Sequence, residues 1–144
     1  MGQPHTSIPD AESVELLNDR QKITEFIESI LALASQAGMK DAAIFAVRLA
    51  IEEAITNAFV HGHKNLPADL TVRVEYKIQP GDLHISIQDQ GPGFVPEKLP
   101  DPTLAENLSK PFGRGVMLMN AYMTEVSYNE SGNQVIMRYT APAE

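Results

Sequence analysis

From Asp41 to about His61 the chain offers apolar residues in nearly every direction around a helix: Ala42, Ile44, Phe45, Val47, Leu49, Ile51, Ile55 and Phe59. A helix of that kind has no wet face and is expected to be mostly buried. It therefore demands a covering layer from the rest of the chain. Asp41 is placed to cap it. Upstream, Ile23, Phe26, Ile27, Ile30, Leu31 and Ala34 recur at helical spacing within a stretch from about Asn18 to Ala37, with Gly38 as the stop. Val14, Leu16 and Leu17 either extend that helix or precede it, and Ile8-Pro9 reads as a short edge strand.

Downstream the period changes to two. Val72, Val74, Tyr76 and Ile78 alternate with polar residues, Pro80-Gly81-Asp82 makes a turn, and Leu83, Ile85 and Ile87 alternate with His84, Ser86 and Gln88. Val126 and Tyr128, a turn over Glu130–Asn133, and Val135, Met137 and Tyr139 complete the set. Alternation this clean leaves one sheet face packed and the other wet. The expected fold is α+β, a two-layer α/β sandwich whose mixed, mostly antiparallel sheet is covered on one face by helices. A third helix is expected from about Gly115 to Met123.

At 144 residues the chain is expected to be a single domain, 1–144, with residues 1–7 as a flexible start. Met1-Gly2 with Thr6 fits the loose myristoylation template, but no polybasic second signal accompanies it, and the lipid reading is set aside. With no cysteine there is neither a disulfide framework nor a thiolate site. A net charge of −8 is the wrong sign for clamping a nucleic-acid backbone, so no direct nucleic-acid partner is expected. No apolar run approaches the ~18–20 residues of a membrane span, and no signal segment is evident. A cytoplasmic protein with no membrane partner is expected.

Three features bear on chemistry. Glu53 and Asn57 lie four residues apart on one face of the buried helix, and His61 continues the line by another turn. Burying a carboxylate and an amide is costly unless something satisfies them. A divalent cation and a reacting hydroxyl would do so, Asn57 giving a neutral oxygen ligand and Glu53 accepting a proton. Backbone hydrogen bonds at a helix edge would also suffice. The second feature is Asp89-Gln90-Gly91-Pro92-Gly93-Phe94. Asp89 continues the parity of Ile85 and Ile87, so it projects toward the buried helix, where its carboxylate can accept from an amino group such as that of adenine. Gly91 and Gly93 let backbone pass close to a ligand; an ordinary Asp-Gly turn is the alternative. Third, Gly113-Arg114-Gly115 opens into a helix, an anion site by its free amides, to which Lys110, His61 and Lys64 can add charge. Tight packing is the alternative there. A dinucleotide fingerprint fits poorly, because the first glycine pair opens a loop and not a helix. Between these features, Pro96, Pro100, Pro102 and Pro111 break any period, which suits a lid or binding loop.

Taken in order, Glu53-Ala-Ile-Thr-Asn57-Ala, Asp89-Gln-Gly-Pro-Gly-Phe94 and Gly113-Arg-Gly115 make the chain, from about Ile8 to Tyr139, resemble the Bergerat ATP-binding fold of histidine kinases, gyrase B and MutL. Within that group it is most similar to the anti-sigma-factor serine kinases of the RsbW and SpoIIAB type. The resemblance implies Mg²⁺ held by Asn57 against the phosphates of ATP and Glu53 as general base. It implies Asp89 on the adenine amino group, Gly91 and Gly93 shaping the wall beneath, and Gly113, Arg114 and Gly115 cradling phosphate. Residues 95–112 would be the ATP lid. The implied partners are a STAS-domain anti-anti-sigma factor as phosphoacceptor and a sigma factor, with Arg20 in partner contact and the chain a homodimer. A free-standing histidine kinase-type catalytic domain and a nucleotide-dependent binding module without turnover are the alternatives. Members of the group often carry Gly-Thr in the penultimate turn; this chain has Gly132-Asn133-Gln134, so an amide would have to replace the threonine hydroxyl.

Overall fold

The computed structural model describes residues 8–92, 123–129 and 131–141. Five strands form one sheet in the order β1-β2-β3-β5-β4: β1 is Glu12–Leu16, β2 Val72–Gln79, β3 Asp82–Gln88, β4 Glu125–Tyr128 and β5 Gln134–Thr140. All four pairings among the described residues are antiparallel, in keeping with the mostly antiparallel sheet that was expected. Two helices, α1 (Arg20–Gln36) and α2 (Asp41–Thr56), precede β2. The expected third helix lies outside the described residues apart from Met123, which is buried in the core.

Register follows the period-two pattern. Val74 pairs with Val14 on one side and Ile87 on the other, Ile85 with Tyr76 and Met137, and Val135 with Ile87 and Tyr128. These residues share the face that meets the helices. Ile27, Ile30, Leu31 and Ala34 of α1, and Val47, Ile51, Ala54 and Ile55 of α2, form one continuous core with them. Ile30, Ile51, Leu83, Ile85 and Met137 are fully buried, each such side chain contributing roughly 1.5–3 kcal/mol of transfer free energy. The opposite face carries charge, with Arg138 bridging to Asp82 at 2.9 Å and Arg73 to Glu75 at 3.5 Å.

Several boundaries differ from expectation for local reasons. The edge strand is Glu12–Leu16, not Ile8-Pro9, because Val14 and Leu16 find partners opposite Val74 and Val72. Val14 and Leu16 thus belong to neither end of α1, which begins at Arg20 after Asp19 accepts from the Lys22 amide at 3.1 Å. Lys40, with no side-chain cap bond, occupies the position before α2, and Asp41 is its first residue, where a carboxylate favours the positive end of the helix. Nor is α2 buried all round. Phe45 is 62% exposed, since a two-layer arrangement covers the helix from one side. Finally, α-helical winding stops at Thr56, and Asn57–Gly62 continues as a π-helical turn.

Candidate functional site

Glu53 and Asn57 stand one turn apart at the C-terminal end of α2, so the expected four-residue spacing on one face holds. Glu53 is half-buried; its carbonyl accepts the Asn57 N–H, while its carboxylate makes no hydrogen bond or ion pair among the described residues. The Asn57 side-chain nitrogen is buried and has no hydrogen-bond partner there. An unsatisfied buried amide costs on the order of 1–3 kcal/mol, so this pair is an unmet polar demand at the end of an otherwise apolar helix.

Beyond Asn57 the winding widens. The His63 amide donates to the Ala58 carbonyl at 2.9 Å, a bond across five residues where an α-helix would span four. The wider turn takes His61 off the line of Glu53 and Asn57, and its side chain is exposed. It also brings Gly62 beneath the end of β3. There the Asp89 carboxylate lies so close to the Gly62 α-carbon that a side chain at 62 would collide with it, and one at Gly91 would collide with the Gly62 carbonyl. Two backbones and one carboxylate thus meet where only glycines fit.

Asp89 takes the side of the sheet that its parity with Ile85 and Ile87 predicts. Its Oδ1 accepts from the Gly91 amide at 2.7 Å. Burial outweighs that bond and pushes the carboxyl up to about 6. The loop is gripped from two further directions. The Asp89 amide donates to the Asn133 carbonyl at 2.8 Å, and Asn133 Nδ2 donates to the Gly91 carbonyl at 3.3 Å. Asn133 is in turn held by Asn129, whose Oδ1 accepts the amides of Gly132, Asn133 and Gln134 at 2.8, 3.1 and 3.2 Å. So the amide at 133 does brace the loop, through the backbone of Gly91. On the other side, Gln90 N–H donates to His63 Nε2 at 2.9 Å, and the Gln90 side chain reaches the Thr71 carbonyl at 2.9 Å.

Of the residues singled out from sequence, Glu53 lies in the last turn of α2, Asn57 opens the π-turn, and Asp89 and Gly91 on the loop meet the end of that turn at Gly62. Arg20, the first residue of α1, is exposed. Gly93, Lys110, Gly113, Arg114 and Gly115 lie outside the described residues, as do residues 95–112. Gly62, His63 and Asn133 are additions. Gly62 carried one faint signal, a glycine directly after the helix that holds Asn57.

An antiparallel sheet covered by a helix whose polar end faces a strand-end Asp-x-Gly loop is the frame of an ATPase domain. Residues 16–139 match the histidine kinase-like ATPase domain, and the chain belongs to that family. It is similar to the anti-sigma F factor of Clostridium botulinum, 31% identical over 99 residues that cover 64% of this chain and 67% of that protein. It is also similar to the serine-protein kinase RsbW of Listeria innocua, 30% identical over 116 residues covering 76% and 73% of the two chains.

The family implies ATP, normally with Mg²⁺, and the residues present fit both. The unpartnered Asn57 Nδ2 is a donor that suits a phosphate oxygen, leaving the amide oxygen as the atom that can ligate a metal. The half-buried Asp89 carboxylate beside two side-chain-free backbones suits a flat base with an amino group. Among the described residues no cluster of His, Asp or Glu could hold a metal by itself. Mg²⁺ commonly takes one or two protein ligands and shares the rest with phosphates and water. Among the same residues, no helix is long and apolar enough to cross a membrane.

Proposed function

We propose that the protein is a Mg·ATP-dependent serine/threonine kinase that phosphorylates a small STAS-type anti-anti-sigma partner and sequesters a sigma factor when that partner is phosphorylated or absent. The observation that carries the reading is the Glu53–Asn57 pair, a half-buried carboxylate one turn from an amide whose buried nitrogen has no partner among the described residues. When bound, Mg·ATP supplies the transferable phosphoryl group and the charge that neutralises it. Asn57 holds the metal, Asp89 accepts from the adenine amino group, and Gly91 and Gly93 form the wall beneath. Glu53 takes the proton of the partner's hydroxyl as that oxygen attacks. Phosphoryl transfer asks for positioning and charge neutralisation above all, and this is what these groups offer. Gly113, Arg114 and Gly115 are assigned to the phosphates, residues 95–112 to the lid and Arg20 to partner contact by likeness to the family, and His61 and Lys110 to the phosphates by the charge they can add beside that glycine loop. The named relatives support the protein partners: one is an anti-sigma factor and the other a serine-protein kinase.

Calorimetric titration of Mg·ATP and phosphoamino-acid analysis of a partner incubated with labelled ATP test this together. Glu53→Ala should bind Mg·ATP as the wild type does and lose phosphoryl transfer by ~10²-fold or more, the range of a general base. Asn57→Ala should lose the magnesium-dependent part of binding. Transfer by Glu53→Ala at the wild-type rate would remove the base assignment. Phosphohistidine in place of phosphoserine or phosphothreonine would move the protein to the histidine-kinase class, and ATP left intact would make it a binding module.

A further inference from the structure

His63 lies just past the π-turn, 9% exposed, and its ring meets Phe59 edge-on at 5.5 Å between centroids and 88° between planes. Its backbone is tied on both sides, the amide to Ala58 and the carbonyl to the Leu66 amide at 3.0 Å. The ring therefore has little freedom to turn. Its Nε2 accepts the Gln90 N–H at 2.9 Å, the backbone bond at the centre of the Asp89-Gln90-Gly91 loop. A nitrogen that accepts a backbone N–H carries no proton, so the imidazole is neutral with its hydrogen on Nδ1. Burial lowers the affinity of this ring for a second proton, which agrees with that state.

We infer that His63 is a positioning residue for the nucleotide loop: by accepting the Gln90 N–H it holds Asp89 and Gly91 in the arrangement that the base meets. The inference rests on the ATP reading above. Three successive residues are each held by a separate group: Asp89 through its amide by Asn133, Gln90 by His63, and Gly91 through its carbonyl by Asn133. Asp89 and Gly91 are thus fixed from the hairpin side. Between them Gln90 is held by its side chain at the Thr71 carbonyl and by its backbone at His63, the one hold on the loop's main chain from the helix side among the described residues. Without that acceptor the Gln90 N–H must turn to water, and the ordering of the loop is charged against ligand binding. His63 touches none of the reacting atoms in this scheme and acts through the loop.

Two substitutions separate this role from simple packing. His63→Phe keeps an aromatic ring against Phe59 and deletes the acceptor. His63→Gln loses the ring contact and returns an oxygen to the position of Nε2. As a positioning residue, His63→Phe should weaken Mg·ATP binding roughly tenfold, the scale of re-ordering a loop that has lost one anchoring hydrogen bond, while His63→Gln recovers most of the affinity. A packing role gives the reverse order, and that order overturns the inference. Long-range ¹H–¹⁵N spectra of the unliganded wild type provide a readout independent of the variants and of ATP. They should show His63 with its proton on Nδ1; a proton on Nε2 overturns the inference even if a variant fails to fold. If wild type binds no Mg·ATP at millimolar concentration, the ATP reading fails and the assigned role falls with it. If wild type binds and His63→Phe binds equally well, only the role of His63 falls.

Discussion

Asp89 is destabilising where it stands. Its carboxyl is raised by burial from 3.8 to about 6. Between those two values the folded protein holds a proton that the unfolded chain has released, so stability falls as pH rises through the window, and above about 6 the ionised group stays a standing cost. Asparagine keeps the oxygen that the Gly91 amide needs and carries no charge. Asp89→Asn should therefore raise the melting temperature at pH ~7.5, with the advantage shrinking to nothing toward pH ~4, while ATP affinity drops by tenfold or more for want of a charged acceptor. Thermal melts of both proteins across that range check the sign. An Asp89→Asn variant no more stable than wild type at neutral pH would mean that the carboxylate is better solvated than its burial implies. At this scale Asp89 and Gly91 were legible because parity along β3 aims the carboxylate and Asp-x-Gly leaves the backbone bare. Gly62 and His63 were much less so: what each touches lies across the fold at residues 89–91, and no local period encodes a contact of that range.

Among the elements, β2 to β5 were read most truly, since each obeys period two against partners that obey it as well, whereas the edge strand β1, expected at Ile8-Pro9, lies at Glu12–Leu16. Helix α1 was read by its core face, but its start depended on one hydrogen bond that periodicity does not contain. Asp19 supplies it by accepting the Lys22 amide. Asp19→Ala should cost about 1 kcal/mol, seen as a lower urea midpoint at an unchanged slope. A shift within error would mean that α1 is held by its packing against Tyr76 and the sheet alone. The π-turn at Asn57–Gly62 was invisible in the sequence. Its residues look like the continuation of the apolar helix that precedes them, and only the arrival of the Asp89 loop beneath Gly62 gives the wider winding a reason. The mostly antiparallel character of the sheet was expected, but which strand pairs with which was not legible, because alternation reports which face is wet and says nothing of strand order.

For the molecule as a whole, the two-layer plan was legible from an apolar helix joined to half-wet strands. The depth to which α2 is covered was not, and Phe45 lies open. Likeness to anti-sigma-factor kinases leads us to propose a homodimer, and sedimentation equilibrium of the full chain should give twice its mass of 15.8 kDa. One chain's mass at every concentration would remove that proposal. The turn at Asn129–Asn133 carries a different consequence. Through Asn129 it gathers three backbone amides onto one oxygen, and through Asn133 it holds the backbone of Asp89 and Gly91. The last hairpin and the nucleotide loop are in this way parts of one cooperative unit, and neither can open far without releasing the other. A loop that must let ligand in and out is commonly among the least protected parts of a protein; one tied in this way to the last hairpin is expected to exchange its backbone amides with solvent on the timescale of the sheet.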